Sequence, residues 1–89
     1  MIKSLQILVT GKVQNVGFRY YTKKTANELG LKGFVRNRSD GSVYIEAEGE
    51  EQVLSRFVTW CHEGPAWARV ENVELQEQPV QDFLEFSVR

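Results

Sequence analysis

The chain has 89 residues, of which 42% are hydrophobic and 26% charged, and its net charge is −1. That length makes one domain, residues 1–89, with a small core, and the near-neutral balance gives no global attraction to nucleic acid or to an anionic membrane. No apolar run approaches the about 18–20 residues needed to cross a bilayer, and Met1-Ile2-Lys3-Ser4-Leu5 lacks the charged-then-apolar layout of a signal peptide, so the cytoplasm is the expected compartment.

Leu5, Ile7 and Val9 alternate with Ser4, Gln6 and Thr10. This period of two predicts a half-buried first strand that ends at Gly11. From Phe18 the period changes. Phe18, Thr22, Thr25, Ala26 and Leu29 fall at helical spacing, and Gly30 closes the helix from the C′ position. Leu31 to Asn37 reads as a second strand. Asp40-Gly41 is a hairpin signal, which makes the second and third strands antiparallel neighbours. Val43, Ile45 and Ala47 alternate with Tyr44, Glu46 and Glu48 along the third strand.

Glu50 and Glu51 stand where a helix N-terminus favours negative charge. Val53, Leu54, Phe57, Val58 and Cys61 mark the buried face of that second helix, and Gly64-Pro65 stops it. A fourth strand is predicted over Arg69 to Glu77 with Val73 and Leu75 facing inward. Pro79 breaks the chain, and Leu84, Phe86 and Val88 make a short fifth strand. The order β-α-β-β-α-β with an added strand predicts an α+β fold. It is a ferredoxin-like α/β sandwich: an antiparallel sheet of four core strands plus a short C-terminal edge strand, with both helices on one face. In that topology strands one and two are parallel with strand three between them. Their C-terminal ends then lie about 10 Å apart, so Asn37 is expected beside the turn Gly11–Phe18.

That turn carries the chemistry. Gly11-Lys12-Val13-Gln14-Asn15-Val16-Gly17-Phe18-Arg19 joins a strand to a helix and includes residues that tolerate unusual backbone angles. Such a turn can aim several backbone N–H groups at one point, and the helix N-terminus adds its own free N–H groups and the positive end of its dipole. Arg19 sits in the first helical turn, where a cation meets an unfavourable dipole. A bound anion would remove that conflict, since a guanidinium can hold two phosphate oxygens. The competing reading is a solvated Arg19 or one paired with a distant carboxylate. The basic residues Lys3, Lys12, Arg19, Lys23 and Lys24 all precede the first acid, Glu28, so positive charge gathers near this turn. Lys12, Lys23 and Lys24 could steer an anion or simply be solvated.

Other phosphate motifs do not fit. The ATP-binding pattern Gly-x-x-x-x-Gly-Lys-Ser/Thr is absent. Cysteine phosphatases place a cysteine just upstream of the anion-gripping arginine, and Val13 holds that place here. Cys61 is the only cysteine and His62 the only histidine, so neither an internal disulfide nor a zinc site of His and Cys ligands can form. Cys61 falls on the buried helical face, and His62 at a helix end where a cation suits the dipole. Packing is the first explanation for Trp60 and Trp67, and a solvated strand face plus a helix start for Glu46, Glu48, Glu50 and Glu51.

The segment Gly11–Arg19 resembles the first acylphosphatase signature, Gly-x-Val-Gln-Gly-Val-x-Phe-Arg. Gly33-Phe34-Val35-Arg36-Asn37, followed by Asp40-Gly41, Val43 and Gly49, is similar to the second, and Gly64-Pro65 through Ala68-Arg69-Val70 is similar to the family's approach to its fourth strand. The resemblance covers nearly the whole chain. It implies a metal- and cofactor-free hydrolase of acyl phosphates. It also implies that Arg19 binds the phosphoryl group, that Asn37 positions the attacking water, and that the amides of Gln14, Asn15, Val16, Gly17 and Phe18 form the phosphate cradle. The implied partners are a small-molecule acyl phosphate and inorganic phosphate or a similar anion, with no nucleic acid and no membrane; a monomer is expected, because both helices use their apolar stripes in packing.

The chain departs from the family at Asn15, where glycine is usual. Asparagine is the next-best residue for a left-handed conformation, so the loop keeps its shape if that is what the position requires, and is distorted if the angles are open to glycine alone. Two competing readings stand beside the enzyme. One is a non-catalytic phosphate-binding or interaction domain of the same fold. The other is an RNA-binding module, whose opening Lys32-Gly33-Phe34 matches but whose later aromatic run does not.

Overall fold

The computed structural model describes residues 1–89. Its elements are β1 (Ile2–Lys12), α1 (Phe18–Glu28), β2 (Lys32–Asn37), β3 (Val43–Glu50), α2 (Glu51–Glu63), β4 (Arg69–Gln78) and β5 (Phe86–Val88). The strands form one sheet in the order β4-β1-β3-β2-β5. β3 pairs antiparallel with both β1 and β2, so β1 and β2 run parallel to each other. The short β5 adds to β2 in parallel and makes the sheet mixed.

Period-two patterning puts Ile7, Val9, Val35, Val43, Ile45 and Ala47 on one face of the sheet. There they meet Phe18 and Ala26 of α1 and Leu54, Phe57 and Cys61 of α2 in one core. Burial of Cys61 holds its thiol protonated well above the ordinary range, as desolvation does to any group that must become charged. α1 ends in a Schellman motif: the Leu31 amide donates to Ala26 O at 2.8 Å and the Gly30 amide to Asn27 O at 3.1 Å. His62 is exposed in the last turn of α2.

Three sequence expectations need correction. Leu75 shares the inward parity of Val73 and lies beside Leu54, Ser55 and Val58 of α2, but β4 is the outer strand and Leu75 is half exposed. Trp67 is not packed; it is 80% exposed. The acidic face of β3 is not solvated. After β4 the chain crosses the face of the sheet opposite the helices, and Glu48, buried beneath it, holds it there: one carboxylate oxygen accepts from the Gln81 amide at 2.8 Å and the other from the Phe83 amide at 2.9 Å. Phe83 stacks edge-on against Phe34, and the Arg89 guanidinium lies 4.0 Å from the Phe34 ring centre. Beside them, Gln78 donates to Glu46 and to Ser4, and Tyr44 donates to Glu46 at 2.6 Å.

Two outcomes follow from this polar face. Hydrogen bonds to a charged acceptor are worth about 1.5–3 kcal/mol. Glu48→Ala is therefore expected to lower unfolding stability by about 2–3 kcal/mol in a urea titration, and to speed hydrogen exchange at the Gln81 and Phe83 amides. Desolvation, reinforced by the Glu46 hydrogen bond, raises the Tyr44 hydroxyl from 10.0 to about 12. The unfolded chain releases that proton first, so Tyr44 contributes stability that is complete below pH 10 and is lost as pH rises to about 12. The alkaline limb of a pH–stability curve should shift upward in Tyr44→Phe.

Candidate active site

The turn between β1 and α1 is built from left-handed residues. Asn15 has φ 63° and Gly17 φ 77°. Asn15 thus occupies the ordinary left-handed region that asparagine tolerates, and the departure from the family's glycine leaves the loop intact. Gly17 is the N-cap of α1 and makes no side-chain cap. Its carbonyl accepts from the Tyr21 amide at 3.1 Å, which starts the helix. No backbone amide from Gln14 to Tyr20 donates a hydrogen bond to another part of the chain. Free donors at a turn followed by a helix N-terminus are the arrangement that binds anions.

The loop is held from two sides. Phe18 is buried and anchors the first turn of α1 in the core. Gln14 reaches across to the hairpin that links β2 and β3. Its side-chain Nε2 donates to Arg38 O at 2.7 Å and to Ser42 O at 2.9 Å. That hairpin is itself braced by Asp40, which accepts from the amide and the hydroxyl of Ser42. These bonds favour the carboxylate and hold its pKa below 3.8. The resemblance assigned Gln14 a backbone role only. Its side-chain contacts depend on the sheet bringing residue 38 beside residue 14, which no local pattern reveals.

Arg19 and Asn37 come together. Both line one open cavity of about 380 Å3 with Asn15, Gly17, Phe18, Tyr20 and Val88. Gln14 and Val16 belong to the same turn but not to the cavity wall. Arg19 is exposed and makes no ion pair; those of the chain join the N-terminus to Glu50 and Lys3 to Glu51 and Glu77. No acid lies in the first turn of α1, so the guanidinium is unopposed beside the helix N-terminus. Asn37, at the C-terminal end of β2, is half-buried and its side-chain amide bonds to no other residue. Tyr20 and Val88 were not anticipated as cavity residues. Val88 arrives only because β5 adds to β2, pairing Val88 with Val35. No group of three or more His, Cys, Asp or Glu side chains is arranged to hold a metal ion, and no helix is long and apolar enough to cross a membrane.

A ferredoxin-like sandwich whose first strand-to-helix turn presents free amides beside an unpaired arginine is the class that fold and site define. A family model described as Acylphosphatase matches residues 5–88. An acylphosphatase of Thermotoga maritima is 46% identical over 88 residues, covering 99% of this chain and 98% of that protein. One of Pasteurella multocida is 51% identical over 85 residues, covering 94% of each. The solved acylphosphatase of Coxiella burnetii superimposes with a TM-score of 0.96 at 41% identity, covering 99% of this chain and 93% of the other. The chain belongs to the acylphosphatase family.

The left-handed angle at residue 15 has a measurable consequence. Asn15→Gly should retain stability. Asn15→Val places a β-branched residue at φ 63°, which costs about 1–2 kcal/mol. A lower thermal midpoint in a calorimetric melt is the expected result for the valine variant alone.

Proposed function

We propose that this protein hydrolyses acyl phosphates by attack of water on phosphorus in the Asn15–Asn37 cavity. The observation that carries the proposal is the convergence on one cavity of the free-amide turn, the unpaired Arg19 and the unengaged Asn37. The amides of Gln14 to Phe18 receive the phosphoryl oxygens, and Arg19 balances their charge. Charge on those oxygens is what the transition state must distribute, so fixed donors act without reorganising. The Asn37 side-chain carbonyl accepts from the attacking water and holds it in line with phosphorus.

The new bond joins the water oxygen to phosphorus. The bond from phosphorus to the acyl oxygen breaks, and its electron pair leaves on the carboxylate, a weak base that needs no protonation. No Asp, Glu or His lines the cavity, so the water's proton passes to a phosphoryl oxygen of the substrate. The positive charge comes from Arg19 and backbone dipoles, and the reading takes the reaction without metal or cofactor. It also takes the enzyme as a cytoplasmic monomer for which inorganic phosphate, the product, is a ligand of the same cradle.

The test is hydrolysis of acetyl phosphate without added metal. Arg19→Ala should lower kcat by about 10²–10³-fold, the loss seen when one transition-state donor is removed, and Asn37→Ala by about 10²-fold, the loss that follows from misplacing a reactant, while both remain folded. A folded native chain that binds phosphate but does not turn over acetyl phosphate would instead be the non-catalytic binding domain.

A further inference from the structure

The turn that carries the free amides is tied to the sheet at one point. Among residues 13–17 the only hydrogen bonds to a neighbouring strand or its hairpin are the two that Gln14 Nε2 donates, to Arg38 O at 2.7 Å and to Ser42 O at 2.9 Å. The same two carbonyls close the hairpin between β2 and β3. The Arg38 amide donates to Ser42 O at 2.9 Å, and the Gly41 amide to Arg38 O at 3.2 Å. A carbonyl has two lone pairs, so each of them serves the hairpin and the tether together. The acceptors that Gln14 needs are in place only while the hairpin keeps its shape.

Core packing does not keep that shape, because Ser39, Asp40 and Gly41 are all exposed. Asp40 does. Its Oδ1 accepts from the Ser42 amide at 3.0 Å and from the Ser42 hydroxyl. An aspartate that bonds to the backbone two residues on substitutes for part of the turn's own hydrogen bonding. Asp40 is not in the wall of the Arg19–Asn37 cavity. Its route to that cavity runs through Ser42 and Gln14.

We propose that Asp40 is a positioning residue: by fixing Ser42 it holds the two carbonyls that tether Gln14, and so keeps the amide cradle in its anion-binding shape. The proposal rests on the reading of that turn as a phosphate cradle and adds the device that presets it. Loosening the tether lowers the fraction of molecules whose cradle is ready, and the apparent dissociation constant rises by the same factor. A bound phosphoryl group draws the cradle back, so saturating substrate recovers kcat. The sign separates this role from a field effect. An anion acting through its charge alone repels phosphate, and its removal tightens binding; loss of the brace weakens it.

The experiment measures inorganic phosphate affinity by amide NMR titration, and acetyl phosphate kinetics, far below the thermal midpoint of every variant. Asp40→Ala should raise the phosphate Kd and the KM together by about three- to tenfold, the net worth of one such hydrogen bond, with kcat changed by less than about twofold. Asp40→Asn, assayed freshly purified, keeps the Oδ1 acceptor without the charge and should bind phosphate at least as tightly as the native chain. Gln14→Ala should weaken binding at least as much as Asp40→Ala, and adding Asp40→Ala to it should cost nothing further. An Asp40→Ala chain that melts earlier but binds phosphate with native affinity or better overturns the proposal, as do an asparagine variant as weak as the alanine one and losses that multiply in the double variant. A native chain that binds phosphate without turning over acetyl phosphate overturns the hydrolytic reading, and the Kd comparison still decides the role of Asp40. A native chain that binds no phosphate overturns the cradle and Asp40's role with it.

Discussion

The backbone amides from Gln14 to Tyr20 have no carbonyl to bond within the chain, and much of the molecule is arranged to keep them that way. Orphaned donors are costly when buried and are satisfied by water or a ligand when open. Here the turn that carries them opens onto a cavity lined by Asn15 and by Gly17 to Tyr20. Left-handed angles at Asn15 and Gly17 turn the chain so that consecutive N–H groups do not alternate in direction as they would in a strand. Phe18 anchors one end of the turn in the core, and Gln14 ties the other to the β2–β3 hairpin. The loop is thus rigid without using its own amides to become so.

The sheet order serves the same end. Because β3 lies between β1 and β2, the ends of two parallel strands open at one edge, and Asn37 stands across from the helix start that bears Arg19. A one-residue slip of β2 would turn Asn37 to the opposite face. The register is protected by Val35, buried on the helix side, and by Phe34, covered on the other by Phe83 and Arg89. Glu48 fastens the crossing segment that brings Phe83 there and leads on to β5. A carboxylate on the face of the sheet away from the helices therefore helps to hold an asparagine on the helix face.

Elements whose cause is local were legible in the sequence. The strands and helices follow from periodicity, and the ends of α1 and α2 fall where Gly30 and Gly64 stand. The nearness of Asn37 to the turn followed from topology, a step beyond local pattern. What escaped depends on what a distant segment covers. Alternation identifies the face on which Glu48 lies but not that residues 79–85 cross it. Leu75 has the inward parity of Val73, yet parity says nothing of how fully an outer strand is covered. Val88 and the Gln14 side chain join the site through a parallel pairing and a hairpin contact that span much of the chain. Trp67 looked like a packing residue because tryptophan usually is one.

The turn before α1 also divides its labour between backbone and side chains. Backbone amides make an exacting phosphate receptor because their positions are set by the fold, and for the same reason they cannot vary with the rest of the substrate. Substituting side chains leaves the amides in place, so the cradle changes little with sequence so long as its left-handed positions are kept, as Asn15 illustrates. Selectivity for the acyl group must come from side chains that reach the substrate without shaping the loop.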